Sequence, residues 1–310
     1  MNPKVSIIVP NYNHASFLKE RIDSILNQTY QNFELILLDD CSTDDSIKVL
    51  NSFKDHPKVS QLIVNTVNSG SPFKQWKKGI ELAQYDWVWI AESDDVSHEE
   101  FLSSCLSTAL KDDSEIVYSQ SYDVDSGMKI LQDRIDYTNS FSPNIWMQDF
   151  NQKGLEFIKN YLLVKNVVPN ASAVIFKKPT NPSIEWELIE SFKMCGDWLF
   201  WIQLCQVYSI SFVARHLNFF RTHDAISRNH NQEGVIKSRI LEEIKIRNFI
   251  FENTSLYDEQ SDFHIFKLWN SLFKTRDLVN SNFRSGVLSR LGTLKYTIYF
   301  IKRIIKKFVK

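Results

Sequence analysis

The amino-acid sequence predicts an α/β protein: a doubly wound, mostly parallel sheet followed by a helical C-terminal extension. Three observations carry that expectation. Short apolar runs alternate with amphipathic helical segments as far as about residue 120, the pattern of strand–helix–strand crossovers. The apolar run 87–91 stops abruptly in Glu92-Ser93-Asp94-Asp95, so carboxylates gather at the C-terminal end of a strand, where open α/β sheets bind their ligands. Beyond residue 230 the apolar residues keep helical spacing and no further strand is evident.

Each element has its own local reason. Residues 5–9 form a β-branched run closed by Pro10, a buried strand with a stop. Residues 15–28 place Phe17, Leu18, Ile22, Ile25 and Leu26 at helical spacing. A second apolar strand, 33–38, ends in Asp39-Asp40. Ser42-Thr43-Asp44-Asp45 then offers an N-cap and first-turn acids for a helix to about residue 53. A third strand covers 59–64, a loop 68–72, and a helix 73–83. The fourth strand is 86–91, after which Ser97 is expected to cap a helix reaching about residue 110. A fifth strand begins at Ile116. From there the alternation fails: 121–150 reads as loop-rich, 152–163 as helical, 171–176 as a strand, and 195–207 as a helix opening with Gly196-Asp197-Trp198.

Composition narrows the function. With 310 residues the chain holds one large domain or a domain plus an appendage. A net charge of -1 excludes a generic polyanion binder. Cys41, Cys105, Cys195 and Cys205 lack metal-site spacing and suggest no disulfide framework, which fits a reducing cytoplasm with buried thiols. No signal peptide and no apolar run of membrane-spanning length is evident.

The chemistry-bearing residues are acids. Asp39-Asp40, Glu92-Ser93-Asp94-Asp95 and Asp197 each follow an apolar strand or open a helix, and neighbouring strand ends converge on one crevice. Carboxylates this close repel one another unless a cation sits among them. Mg2+ or Mn2+ suits such oxygen donors and leaves positions open for phosphate, with Asp95 as the best protein ligand. Helix-dipole decoration competes as an explanation of Asp94-Asp95, and turn-capping as one of Asp39-Asp40.

Several of these segments, in this order, resemble one known family. They are Val5-Ser6-Ile7-Ile8-Val9-Pro10-Asn11-Tyr12-Asn13, Ser24-Ile25-Leu26-Asn27-Gln28-Thr29-Tyr30, Phe33-Glu34-Leu35 leading into Asp39-Asp40-Cys41-Ser42-Thr43-Asp44, Asn68-Ser69-Gly70, Gly79-Ile80 and Ser93-Asp94-Asp95. Together they resemble the nucleotide-binding half of family 2 glycosyltransferases, which have the GT-A fold. The resemblance is tight over about the first hundred residues and looser to about residue 230.

The resemblance implies a set of roles. Pro10 and Asp40 would meet the nucleotide base, a carboxylate accepting an imide N–H by a charge-assisted bond, with Asp39 helping or only holding the turn. Asp94 would lie at the ribose side and Asp95 would bind the metal. Glu92 stands where relatives often carry Asp. Lys74, rather than Lys77 or Lys78, is the choice for a phosphate contact, against a solvated helix face. Asp197 would be the catalytic base of an inverting displacement, against an N-cap or first-turn role. Phe220-Arg221-Thr222-His223 suggests Arg221 near phosphate and His223 near the metal. His14, His216 and His230 have no comparable context.

The implied enzyme moves a sugar from a nucleoside diphosphate sugar, UDP-sugar favoured, to a hydroxyl of a glycan or lipid-linked oligosaccharide in bacterial surface-polysaccharide assembly. The expected division is a GT-A domain at 1–230, with a nucleotide half at 1–119 and an acceptor half at 120–230, and a helical region at 231–310. The last segment carries no acid after Asp277 but has Arg284, Arg290, Lys295, Lys302, Arg303, Lys306, Lys307 and Lys310 beside a stripe of Leu291, Leu294, Ile298, Ile301, Ile305 and Phe308. A basic amphipathic helix of this kind suits the anionic inner face of a membrane, against packing on the enzyme's own core. Its confinement to one end argues against nucleic acid. Two alternatives stand beside the transferase. A sugar-phosphate nucleotidylyltransferase would need a Gly-rich, Arg-containing loop that Pro10-Asn11-Tyr12-Asn13-His14 lacks. A non-catalytic nucleotide-sugar-binding protein would have no use for Asp197. A receiver-type phosphoacceptor is about half this size.

Overall fold

The computed structural model describes residues 2–179, 184–222 and 232–272, and the isolated positions 298, 301, 302 and 305. The chain forms two compact units, one of residues 1–157 and 167–226, the other of 158–166 and 227–310.

In the first unit the order is β1 (Val5–Asn11), α1 (Ala15–Leu26), β2 (Phe33–Asp39), α2 (Ser46–Asn51), β3 (Val59–Val64), α3 (Pro72–Leu82), β4 (Trp87–Ile90), β5 (Val96–Ser97), α4 (Phe101–Asp112), β6 (Ile116–Val124), β7 (Ile130–Asp133), β8 (Phe150–Gln152), α5 (Gly154–Phe157), β9 (Val174–Lys177), α6 (Trp186–Glu190), α7 (Gly196–Cys205) and β10 (Ile210–Arg221). The strands make one sheet in the order β3-β2-β1-β4-β9-β6-β10-β5, with β7 on β6 and β8 on β10. β1 pairs in parallel with β2 and β4, and β2 with β3. β9 runs antiparallel between β4 and β6, and β10 is parallel to β6. It follows that β1, β2, β3, β4, β6 and β10 all point their C-terminal ends to the same edge.

The core explains why the central strands are continuous apolar runs. β1, β2 and β4 are buried along their whole length, covered by helices on both faces, so neither face calls for polar residues. Val5, Ile7, Val9, Leu35, Leu37 and Trp89 pack with Leu18, Ile22 and Ile25 of α1 and with Phe101 and Leu102 of α4. Pro10 survives in a central strand because β4 pairs with β1 only as far as Ile8, so its missing N–H removes no rung there. Cys105, Cys195 and Cys205 are buried thiols, as composition suggested.

Three expectations need correction, and one strand was missed. Ser97 does not open a helix; it pairs with Asn218 in a two-residue antiparallel strand, and the helix starts at Phe101. Residues 121–150 are not simply loop: β6 continues to Val124 and β7 folds back on it. The signal was hidden because Gln120, Ser121 and Asp123 are polar yet buried. The strand expected at 171–176 begins only at Val174 and runs antiparallel. The twelve-residue β10, broken by Arg215, His216 and Asn218, gave no strand pattern at all.

The second unit contains α8 (Glu233–Thr254) and α9 (Glu259–Leu272). Arg247 of α8 ties it together, donating to the Val164 carbonyl at 2.8 Å and to Glu243 at 3.2 Å, with Asp262 of α9 3.8 Å from its Nε. Most of the basic tail lies outside the described residues. Of it, Ile298, Ile301, Lys302 and Ile305 are helical, and the three isoleucines are 46%, 48% and 54% exposed. No helix among the described residues is long and apolar enough to cross a membrane.

Candidate active site

At the edge where β1 and β2 end, the acids are held by short-range chemistry. Asp39 is fully buried: its Oδ1 accepts from the Ser42 amide at 2.8 Å, and its Oδ2 accepts from Ser42 Oγ at 2.6 Å and Asn11 Nδ2 at 2.8 Å. It closes the turn after β2. Asp40 is also buried and gathers the 65–75 segment around itself. Its carboxylate accepts from Asn65 Nδ2 at 2.7 Å, Gln75 Nε2 at 2.9 Å, Ser69 Oγ at 2.7 Å and the Ser69 amide at 3.0 Å. Its own amide donates to the Asn11 carbonyl at 2.8 Å. Cys41 follows with φ of 65°, a left-handed residue that lets the chain turn away sharply. Asn11 Oδ1 and Gln75 Oε1 are buried there without a hydrogen-bond partner among the described residues, acceptors that a ligand's N–H groups would satisfy.

Beyond β4 lies the acidic cluster. Asp95 is 2% exposed; its Oδ1 accepts from the Arg221 amide and its Oδ2 from Asn170 Nδ2, both at 2.9 Å. Asp94 is partly exposed and thus the more accessible acid. Glu92 Oε1 accepts from Trp76 Nε1 of α3 at 2.7 Å, and its amide donates to Ser172 Oγ at 3.0 Å. Burial above all, then the neighbouring Asp94, pushes the Glu92 carboxyl up to about 8. The same two causes raise Asp95, against the pull of Arg21, Ser172 and the Arg221 N–H. Buried, crowded acids kept off their ordinary range in this way mark a candidate ligand site, although no group of three or more His, Cys, Asp or Glu among the described residues is arranged to hold a metal ion by itself.

The remaining candidates are placed around this edge. Asp197, half-buried, sits in the first turn of α7. Gly196 beside it lies against the Phe73 ring of α3, so close that a Cβ would stand 2.5 Å from Cε2. α3 also carries Trp76, whose ring meets Phe200 and Trp201 of α7 edge-on or tilted at 5.7 and 6.1 Å while its N–H holds Glu92. The Asp197 turn and the acidic cluster are therefore braced by the same helix. Lys74 is exposed on that helix, with Nζ 3.1 Å from the Ser69 carbonyl; Lys78 is occupied by Asn65 at 2.6 Å and Lys77 faces Glu190 at 3.7 Å. Arg221 is 1% exposed, its guanidinium turned to Glu20 at 2.6 Å and lying over the Phe17 ring at 4.6 Å, so its link to the acids runs through its backbone. His14 Nδ1 is 2.9 Å from Ser93 Oγ. His223 lies outside the described residues.

Three groups escaped sequence reasoning. Asn170 and Ser172, on the short turn before β9, hold Asp95 and Glu92 from about 75 residues away, and nothing local announces that contact. Asn65, Ser69 and Gln75 serve Asp40 in the same way. Arg21 did leave a signal: it falls on the buried face of α1 with Leu18, Ile22 and Ile25, a charge where the helical spacing demands an apolar residue.

Comparison with known proteins fits this geometry. An uncharacterized glycosyltransferase of Haemophilus influenzae is 41% identical over 109 residues, 35% of this chain and 43% of that one. TarS of Staphylococcus aureus, a poly(ribitol-phosphate) β-N-acetylglucosaminyltransferase, is 34% identical over 103 residues, 32% of this chain and 18% of that one. The chain thus spans less than half the length of these curated relatives in either match. The crystal structure of TarS 1–349 in complex with UDP superposes with a TM-score of 0.55 at 20% identity, covering 88% of this chain and 73% of that one. The mannosyltransferase PcManGT of Pyrobaculum calidifontis, in complex with GDP-Man and Mn2+, superposes with a TM-score of 0.52 at 13% identity, covering 99% and 81%. These likenesses establish the GT-A fold. Residues 6–171, more than half of the chain, match the model of glycosyl transferase family 2, and the chain belongs to that family of glycosyltransferases.

Proposed function

We propose that the chain is an inverting, metal-dependent glycosyltransferase that transfers a sugar from a nucleoside diphosphate sugar, UDP-sugar by preference, to a hydroxyl of a lipid-linked glycan. The observation that carries this reading is the convergence of Asp40, the Glu92–Asp95 cluster and the α7 start on one sheet edge, with Trp76 bracing the last two. The donor set would suit Mn2+ or Mg2+: hard carboxylate oxygens, with Glu92 and Asp95 raised by burial first and by the neighbouring Asp94 second, the second of which a divalent cation would relieve. Asp95 and the more exposed Asp94 would hold it, with His223 as a further candidate, and once bound it would offset charge on the departing diphosphate.

The chain's own residues do the rest. Pro10 shapes the backbone floor under the base, and Asp40 accepts the imide N–H by exchanging it for one of its present donors. Asp39 fixes the turn that aims Asp40. Lys74 is near enough to the 69–72 loop to swing its ammonium from the Ser69 carbonyl onto phosphate. Arg221 fixes Asp95 through its amide. Asp197 takes the proton from the acceptor hydroxyl as that oxygen attacks the anomeric carbon from the face opposite the leaving group. Most of the acceleration comes from holding hydroxyl, carbon and leaving group in line.

The acceptor reading, a glycan of surface-polysaccharide assembly, draws support from the poly(ribitol-phosphate) transferase among the relatives. Peripheral attachment to the anionic inner face of the membrane draws support from the exposed Ile298, Ile301 and Ile305 beside Lys302.

The reading is tested by calorimetric titration with UDP, with and without Mn2+, in the wild type and Asp95→Ala. Metal-dependent binding that the variant loses supports it. Metal-independent UDP binding unaltered by Asp95→Ala removes the metal role, and no binding of any nucleoside diphosphate sinks the donor site.

A further inference from the structure

Arg21 is the most unusual group in the first unit. It is fully buried on the inner face of α1, with its guanidinium carbon 5.0 Å from the centre of the Trp89 ring. Nη1 donates to Ser97 Oγ at 2.7 Å. Nε and Nη2 are buried without a hydrogen-bond partner among the described residues. No carboxylate among those residues lies within 4.0 Å of it; the neighbouring buried arginine, Arg221, is paired with Glu20 at 2.6 Å.

A buried charge is costly unless something compensates it. The anchors of Arg21 say what that is. Trp89 lies three residues before Glu92, and Ser97 two residues after Asp95, so the guanidinium sits beneath the β4–β5 connection that bears the acids. The charges acting on it most strongly are those of Asp95, Asp94 and Glu92, in that order.

We propose that Arg21 is the resident counter-cation of the Glu92–Asp94–Asp95 cluster, a positioning residue that weakens capture of a free divalent cation and so makes metal binding depend on the diphosphate of the donor. The inference rests on the metal-site reading above. Its physical basis is charge: one fixed positive charge held behind the acids by Ser97 and Trp89 opposes a second cation, and a bound diphosphate would reverse the balance. A charge-free residue at position 21 would leave the acids open to metal alone.

The test measures Mn2+ alone, by electron paramagnetic resonance of the unbound ion at pH 8, in the wild type, Arg21→Gln, Arg21→Met and Arg21→Lys. Glutamine keeps a donor for Ser97 and loses the charge; lysine keeps the charge. Mn2+ should bind about tenfold tighter in both neutral variants and within about twofold of wild type in the lysine variant. The enhancement of Mn2+ binding by saturating UDP should shrink by the same factor. Unchanged or weaker Mn2+ binding in whichever neutral variant keeps the wild-type circular dichroism overturns the proposal, because a purely structural role predicts that result. If neither neutral variant folds, Arg21 is a structural necessity and the proposal is withdrawn. Failure of the wild type to bind Mn2+ even with UDP removes the metal-site reading itself, a result distinct from the first.

Discussion

Asn170 donates from Nδ2 to Asp95 Oδ2 at 2.9 Å, while its Oδ1 accepts the amide of Ser172 at 2.6 Å. One side chain thus couples the turn before β9 to the acid at the end of β4. Both groups are buried, so the bond cannot be exchanged for water without cost. Asn170→Ala should lower stability by about 1–3 kcal/mol in urea denaturation. It should also weaken Mn2+-dependent UDP binding about tenfold, since Asp95 then loses a fixed orientation. Loss of stability with unaltered binding would show that Asn170 serves only the fold.

Asp40 makes the opposite case, a proposed site acid whose visible contacts are architectural. Asp40→Ala would orphan the buried Gln75 donor, take a partner from the half-buried Asn65 and release the Ser69 amide. The expected cost is about 3 kcal/mol, a large share of a domain's stability. Asn65→Ala removes one donor only and should cost about 1 kcal/mol. Comparable midpoints for the two variants in urea would contradict the network.

Stability should also report the burial and crowding of the acids. The folded chain holds the Glu92 proton up to about pH 8, whereas the unfolded chain releases it near the ordinary 4.5. Between these limits the unfolded state binds fewer protons, so stability falls as pH rises and the loss is complete above about pH 8. Asp95, raised for the same reasons, acts in the same direction. The melting temperature of the metal-free protein should drop by roughly 5 °C between pH 5 and 8.5. Glu92→Gln should remove most of that slope. A melting temperature that is flat or rises over this range would refute the assignment.

What was legible in the sequence follows from range. β1, β2 and β4 were plain because strands buried on both faces are apolar throughout, and acids stand at or just beyond the ends of β2 and β4, where the candidate site was sought. Pro10, Asp39, Asp40, Asp94 and Asp95 belong to that local signal. β6 beyond Ser119, and all of β10, were hidden because Gln120, Ser121, Asp123 and Asn218 are buried polar residues. Their burial is fixed by partners such as Ser121 with Asn218, 97 residues apart. The Asn170 contact is invisible for the same reason. Arg21 was readable as a misplaced charge on an apolar helix face, although its partners were not.

Packing at the α7 start gives a fourth expectation. A Cβ on Gly196 would stand 2.5, 2.6 and 2.8 Å from three ring atoms of Phe73. Gly196→Ala must displace that ring or the helix start. Overpacking of this size should cost about 1–3 kcal/mol. Because α3 also holds Glu92 through Trp76, the variant should lower kcat as well as stability. Gly196→Ala together with Phe73→Leu should recover both, and failure of that pair would mean that the clash lies elsewhere.

Asp197 carries the most specific prediction. It sits in the first turn of α7, where an acid also favours the helix dipole, so stability alone cannot distinguish base from cap. Asparagine preserves size and hydrogen-bonding capacity but cannot take a proton. If Asp197 is the base, Asp197→Asn should lower kcat by about a hundredfold to ten-thousandfold. UDP affinity with Mn2+ should stay within about twofold, because the proposed donor site draws on other residues. The acidic limb of the kcat profile should vanish, since the group whose ionisation it reports is gone. A cap would give the reverse pattern: a lower melting temperature, an unaltered pH profile, and a kcat within a few fold of wild type. Measuring kcat against pH in the two proteins therefore separates a proton acceptor from a helix terminus.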